Sequence, residues 1–234
     1  MIMMVKNIWV DDEYTNRARK EGYVARSIYK LEQIDQKYHL FGPDVHTVLD
    51  IWCAPGSWLQ YVSKKLPSPQ TPPNPLSPLP NAPRTSSLGE GIRGELVFRS
   101  RSIVIGFDLK KVEIHLSGVY TYEQDITDRV WVQKILDQHE IQQFDVIISD
   151  MAPDTIGKAD IDAIRSIGLI EKTLRLYEKY LAPWGKFAIK VFMWPGFDEF
   201  VYEMKEKYGS SNIVVYKPKA CRKASKETYV VKRA

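Results

Sequence analysis

The chain has 234 residues, 44% of them hydrophobic, 12% aromatic and 26% charged, with a formal net charge of +4. That length supports one sizeable core, and the aromatic content excludes a disordered chain. No apolar run approaches the ~20 residues of a bilayer span, the opening MIMMVKNIWVDDEYTNR has no signal core or Arg/Ser-rich presequence, and two cysteines, Cys53 and Cys221, exclude a disulfide framework or a cysteine zinc site. A soluble, cytoplasmic, metal-free protein is expected, monomeric by default.

In chain order, Asp12–Glu21 and Ala25–Tyr38 read as helices, His46–Trp52 (HTVLDIW) as the first strand and Leu59–Leu66 as the helix after it. Residues 67–83 then hold eight of the fourteen prolines. No helix or ladder strand tolerates that density, so 67–100 reads as a loop or disordered insertion. Strands resume at Ser102–Asp108 and Val119–Asp125, followed by a helix over Asp128–Gln138 and a strand over Phe144–Asp150. In Ile161–Tyr180 the residues Ile164, Ile167, Leu174 and Tyr177 share one helical face. Strand Lys186–Phe192, helix Phe197–Tyr208 and strands Asn212–Lys217 and Glu227–Lys232 complete the chain. Strands alternating with helices define an α/β fold on a largely parallel sheet, and near-continuous apolar strands are those covered on both faces. The link between the last two strands, about ten residues, is too short for a helical crossover, so that pair is expected to be antiparallel.

Charge is unevenly spread. Arg17, Arg19, Lys20, Arg26 and Lys30 against Glu21 give residues 17–30 a net +4. Lys217, Lys219, Arg222, Lys223, Lys226, Lys232 and Arg233 against Glu227 give residues 217–234 a net +6, leaving −6 for the rest. Such clusters suit a polyanion, although solvated basic ends would look the same.

Strand HTVLDIW carries Asp50 and runs into Cys53, Ala54, Pro55, Gly56, Ser57 and Trp58 before the next helix. An acid at a strand end, a tight loop and a helix N-terminus form a nucleotide-type site at the carboxyl edge of a sheet. The loop lacks the GK[ST] of a phosphate-binding loop, and its carboxylate favours a cationic ligand. S-adenosylmethionine, with an ammonium and a sulfonium, fits. Asp108 ends the second strand, placed for ribose hydroxyls, and Asp125 ends the third, placed for an adenine amino group or as a cap for the helix that follows. Lys190 sits inside an apolar strand, a costly position unless paired or functional.

The runs DIWCAPGSW, SDMAPD, LAPWGKFAIKVF and GFDEF, the terminal KPxAxRxxSKExY and the N-terminal RARKEGYxARSIYKLxQID resemble the FtsJ/RrmJ family of RNA ribose 2′-O-methyltransferases. The match spans the chain except residues 67–100. It implies a Rossmann-like methyltransferase fold, a mostly parallel seven-stranded sheet ending in an antiparallel hairpin with helices on both faces, in a single domain over residues 1–234. It also implies a catalytic set of Lys30, Asp150, Lys190 and Glu227, and S-adenosylmethionine held by Asp50, Cys53, Pro55, Gly56, Ser57, Trp58, Asp108, Asp125 and Asp150. Trp52 stands where the family usually has Gly or Cys, and a side chain turned toward the cofactor would narrow the pocket.

Methyl transfer to a ribose hydroxyl needs in-line positioning and a fate for the hydroxyl proton. Lys190 is either the general base, with Lys30 as the cation that lowers its pKa, or a protonated group that orients the hydroxyl and stabilises developing alkoxide charge. Arg17, Arg19, Lys20, Arg26, Lys217, Lys219, Arg222 and Lys223 are the expected RNA contacts, with Tyr23, Tyr29 and Trp194 as candidates for base stacking. A uridine of large-subunit ribosomal RNA is the expected target. A transfer-RNA ribose methyltransferase and a non-catalytic ribosome-assembly factor are the alternatives, and a small-molecule methyltransferase is disfavoured by the basic ends.

Overall fold

The computed structural model describes residues 12–66, 102–151, 174–193 and 195–233. The Pro-rich segment, most of the helix expected over Ile161–Tyr180, and Trp194 lie outside them.

Helix α1 (Glu13–Lys20) starts where the Asp12 carboxylate accepts the Thr15 N–H at 2.9 Å. Helix α2 (Ile28–Tyr38) turns Ile28, Tyr29, Leu31 and Ile34 inward and ends on His39 in the left-handed conformation. Strand β1 (Thr47–Ile51) leads through the loop into α3 (Ser57–Lys65). Beyond 67–100 come β2 (Ile103–Asp108), β3 (Val119–Glu123), α4 (Arg129–Gln138) and β4 (Phe144–Ser149). Residues 174–180 are helical, and β5 (Leu181–Phe192), α5 (Phe197–Tyr208), β6 (Ile213–Tyr216) and β7 (Glu227–Lys232) follow.

The seven strands form one sheet in the order β3-β2-β1-β4-β5-β7-β6. Pairings among β1 to β5 are parallel, while β7 runs antiparallel to both β5 and β6. This is the mixed sheet expected from the strand spacing. One boundary differs: β5 starts at Leu181, opposite Phe144, and its register shifts before Lys186 meets Val146. Pro183 has no N–H to give the ladder, so the chain leaves it between those two pairings.

The sheet separates two apolar clusters. Leu49, Ile105, Ile147 and Phe187 face α4, α5 and the helical residues 174–180. Val48, Val104, Ile148 and Tyr229 face α2 and α3. From β1 the strand order steps one way through β2 to β3 and the other way through β4 to β5, so the crevice at the carboxyl ends of β1 and β4 is the topological switch point, where open α/β sheets bind ligands.

Candidate active site

At the switch point β1 delivers Asp50, which is 1% exposed. Its carboxyl is pushed well above the usual range by burial first, then by Asp150 and Asp108. Its Oδ2 atom has no hydrogen-bond partner among the described residues. A buried acid with a free acceptor oxygen fits a cationic group such as the ammonium of S-adenosylmethionine.

The loop beyond β1 is held by β2. Trp52 and Cys53 both donate their N–H to Phe107 O, at 2.8 and 3.2 Å. Ala54 donates to Asp108 Oδ2 at 2.8 Å, and Lys110 to Asp108 Oδ1 at 2.8 Å. Asp108 thereby fixes the loop and keeps lone pairs for ribose hydroxyls. Gly56 has φ +109°, and a Cβ there would come within 2.4 Å of Ile114, so only glycine passes. Trp52 adopts φ +64° and packs, partly buried, against the α4 side of the core.

Two expected cofactor contacts are placed differently. Cys53 lies under β2, its Sγ 2.8 Å from where a Cβ on Gly106 would stand, and burial raises its thiol pKa. Trp58 is 3% exposed and donates Nε1–H to Ser27 O at 2.9 Å, tying α3 to the start of α2. Both side chains are packing elements, leaving only their backbone to the loop surface. Asp125 is exposed, and its Oδ1 accepts the Thr127 N–H and hydroxyl at 2.8 Å each. The cap of α4 is Asp128, which accepts the Trp131 N–H, so the helix-capping alternative for Asp125 fails.

Beside this loop the four catalytic candidates converge from four elements. Asp150 follows β4, and its Oδ1 lies 3.0 Å from Lys190 Nζ of β5 and 3.7 Å from Lys30 Nζ of α2. Lys30 also reaches Glu227 Oε1 of β7 at 3.0 Å. Lys190 donates a second bond to the backbone carbonyl of Asp150. The side chains are only 7% to 21% exposed, so solvent screens these pairs weakly. Burial alone would raise the Asp150 carboxyl, but Lys190, Lys30 and the Tyr229 hydroxyl lower it below its usual value. For Lys30, burial acts to lower the pKa, and Asp150 and Glu227 overcome it and raise it. Lys30 therefore stays an ammonium.

Tyr229 was no sequence candidate, yet its hydroxyl donates to Asp150 Oδ1 at 2.7 Å. The signal was its place two residues after Glu227, on the same face of a strand. Cys221 is a second missed neighbour: its thiol donates to Glu227, and burial with that bond raises its pKa to about 12.

The two basic ends meet. Arg26 pairs with Asp12 and donates to the carbonyl of Ala220, and Ala220 N–H donates to Gln33 Oε1 at 3.1 Å. A cleft between α1 and the 219–223 segment is lined by Asp12, Tyr14, Arg26, Lys219, Arg222 and Lys223. Arg17 lies outside that lining, bound to Glu21 at 2.7 Å and stacked over Tyr29. Lys20 is exposed, and Lys217 donates to Ser225 O at 2.5 Å. Tyr29 is 1% exposed and bonded to Glu21, which removes it as a base-stacking platform.

A Rossmann-like sheet with an antiparallel last pair and strand-end acids at its switch point defines the S-adenosylmethionine-dependent methyltransferase class. The model of the FtsJ-like methyltransferase family matches residues 23–234, and the chain belongs to that family. It is 34% identical over 226 residues to the ribosomal RNA large subunit methyltransferase E of Desulfatibacillum aliphaticivorans, covering 97% of this chain and 91% of that one. The protein of the same description from Acinetobacter baumannii (strain AYE) is 34% identical, covering 95% and 86%. Among solved structures, a Plasmodium falciparum protein described as a ribosomal RNA methyltransferase superposes with TM-score 0.66 at 22% identity, covering 90% and 97%. Human methyltransferase-like protein 13, solved with SAH, gives TM-score 0.52 at 12% identity, covering 88% and 81%.

Proposed function

We propose that the chain, folded as a single domain, transfers a methyl group from S-adenosylmethionine to a ribose 2′-OH of RNA, a uridine of large-subunit ribosomal RNA, acting as a monomer in the cytoplasm. The observation that carries this reading is the convergence of Lys30, Asp150, Lys190 and Glu227 beside the strand-end acids Asp50 and Asp108. The substrate follows from relatives described as large-subunit ribosomal RNA methyltransferases, and from the basic cleft beside Glu227.

Asp50, Asp108, Asp125 and the 54–57 backbone would hold the cofactor, which when bound supplies an electrophilic methyl on a sulfonium leaving group. Lys30 and Lys190 then act on the nucleophile. Lys190 is directed by two acceptors on one residue, the carboxylate and the carbonyl of Asp150, which supports hydroxyl orientation and alkoxide stabilisation over proton abstraction. Asp150 balances both cations and fixes their separation, and Glu227 anchors Lys30. Arg26, Lys219, Arg222 and Lys223 would take phosphates on one side of the target ribose, with Arg17, Arg19, Lys20 and Lys217 at the rim. The packing of Trp52 against the core supports the catalytic reading over a non-catalytic assembly factor.

The test is methyl transfer from labelled S-adenosylmethionine to large ribosomal subunits and to transfer RNA, with the modified ribose mapped. Label in one ribose of large-subunit RNA supports the reading. Label confined to transfer RNA, or none despite calorimetric cofactor binding, rejects it.

A further inference from the structure

Methyl transfer to a hydroxyl by this cluster requires Lys190 and Lys30 to sit at fixed positions, and their common anchor is a single oxygen atom, Asp150 Oδ1. A carboxylate beyond the end of a strand can rotate, and each rotation would move both ammonium groups. The described structure contains one neutral group that stops it. Tyr229 is fully buried, and its hydroxyl meets the same Oδ1 at 2.7 Å. Its backbone lies opposite Lys190 in the β5–β7 register. Its ring packs 6.0 Å from that of Trp58, whose Nε1–H is spent on Ser27 O, while Ser27 and Ser57 share a 2.8 Å hydroxyl contact. The phenol therefore stands against the first turn of α3, which follows the cofactor loop, and points at the carboxylate that arranges the lysines.

We propose that Tyr229 is a positioning residue for methyl transfer, its hydroxyl locking Asp150 in the rotamer that presents Lys190 and Lys30 to the ribose hydroxyl. A neutral donor suits this place: two lysines already balance two carboxylates, and a third cation would leave the buried cluster charged. The hydroxyl remains a donor throughout the working range, because burial and then Asp150 and Glu227 raise its pKa well above the ordinary phenol value. The groups around Asp150 are Lys190 on β5, Lys30 on α2, Asp50 on β1, and Glu227, Tyr229 and the nearby Cys221 thiol. Of these, Lys190, Lys30 and Tyr229 hold its carboxyl low. Loss of the hydroxyl should let the carboxyl titrate at higher pH.

The inference rests on the assignment of Asp150 to the reaction, so Asp150→Asn is measured in parallel. In Tyr229→Phe the single-turnover rate at saturating RNA and cofactor should fall about tenfold to a hundredfold, the loss of a hydrogen bond to a charged group. Cofactor affinity should stay within about twofold, and the acid limb of the rate profile should move to higher pH. A merely structural role would lower the melting temperature and the active fraction but leave that limb in place, and this outcome overturns the proposal. So does an unchanged rate in Tyr229→Phe when Asp150→Asn is inactive. An active Asp150→Asn overturns the catalytic assignment and the proposal together. Should Tyr229→Phe fail to fold, 3-fluorotyrosine incorporated at position 229 strengthens the donor without removing it. Carbon-13 NMR should then show Asp150 titrating at lower pH, and an unmoved Asp150 titration overturns the proposal.

Discussion

Both ends of the parallel strands hold buried or partly buried ionisable side chains, but they satisfy them differently. At the amino end, Asp145 Oδ2 accepts the backbone N–H groups of His46 and Thr47, at 2.9 Å each, and the Thr47 hydroxyl at 3.0 Å. Lys186 donates to His39 O at 2.8 Å, and Lys232 to Gly185 O. At the carboxyl end, Asp150, Lys30, Lys190 and Glu227 are bonded chiefly to one another. A charge spent on backbone groups fastens the chain, since its partners cannot move. Charges spent on each other set protonation states and leave donors that a substrate can engage. The first arrangement is structural and the second chemical, although the residue types are the same.

The sharpest break of this contrast is Lys190→Ala. It should lower the single-turnover methylation rate about a thousandfold while calorimetric cofactor affinity stays near that of the wild type. Asp108→Ala should come next, with S-adenosylmethionine binding weakened about tenfold to a hundredfold by calorimetry, because the loop loses its anchor and the ribose an acceptor. At the other end, Asp145→Ala should cost about 2 kcal/mol in urea unfolding, since it strands backbone donors. The rate per folded molecule should stay within about twofold. Equal loss of rate there would erase the distinction between the two ends.

Replacing Lys217, Lys219, Arg222 and Lys223 by Ala should weaken RNA binding and flatten its dependence on salt, by about 0.7 in slope for each phosphate no longer neutralised. An unchanged slope removes those four from the RNA interface. The smallest effect is on stability against pH. Lys30 has a raised pKa, so its pairing stabilises fully below the unfolded value of ~10.4 and is lost as pH rises through the folded value. Asp150 is depressed, so its share is present above ~3.9 and is lost as pH falls through the folded value. The stability gap between wild type and Lys30→Met should therefore be flat from about pH 5 to 9 and narrow above about 10.4. Urea midpoints across pH measure it.

The alternation of apolar runs with helical faces was enough to place every described strand within a few residues, because strand pattern and turn chemistry are local. β5 was the exception. Its early start depends on Leu181 finding Phe144 across the sheet, a pairing outside any local window. Asp50 and Asp108 were legible because an acid at a strand end is a local signal, whereas Asp150 was marked by the family resemblance of its motif. Lys190 was legible because a charge in an apolar strand is costly. Cys53 and Trp58 belong to the same motif, but their side chains turn into the core, which the motif cannot report. Tyr29 resembled a platform until tight helix packing buried it.

The sequence by itself determined the order of elements and the antiparallel last pair, since each depends on residue type and short-range spacing. The four clustered side chains were marked as a set only by the resemblance of their motifs to the family. Only the tertiary structure decided that Lys30, 120 residues from Asp150 in sequence, lies 3.7 Å from it. It also decided that Tyr229 closes on the same oxygen and that Trp52 turns to the core. Those are properties of distance between chain-remote atoms, and distance is set by how the sheet brings strands 1, 4, 5 and 7 together.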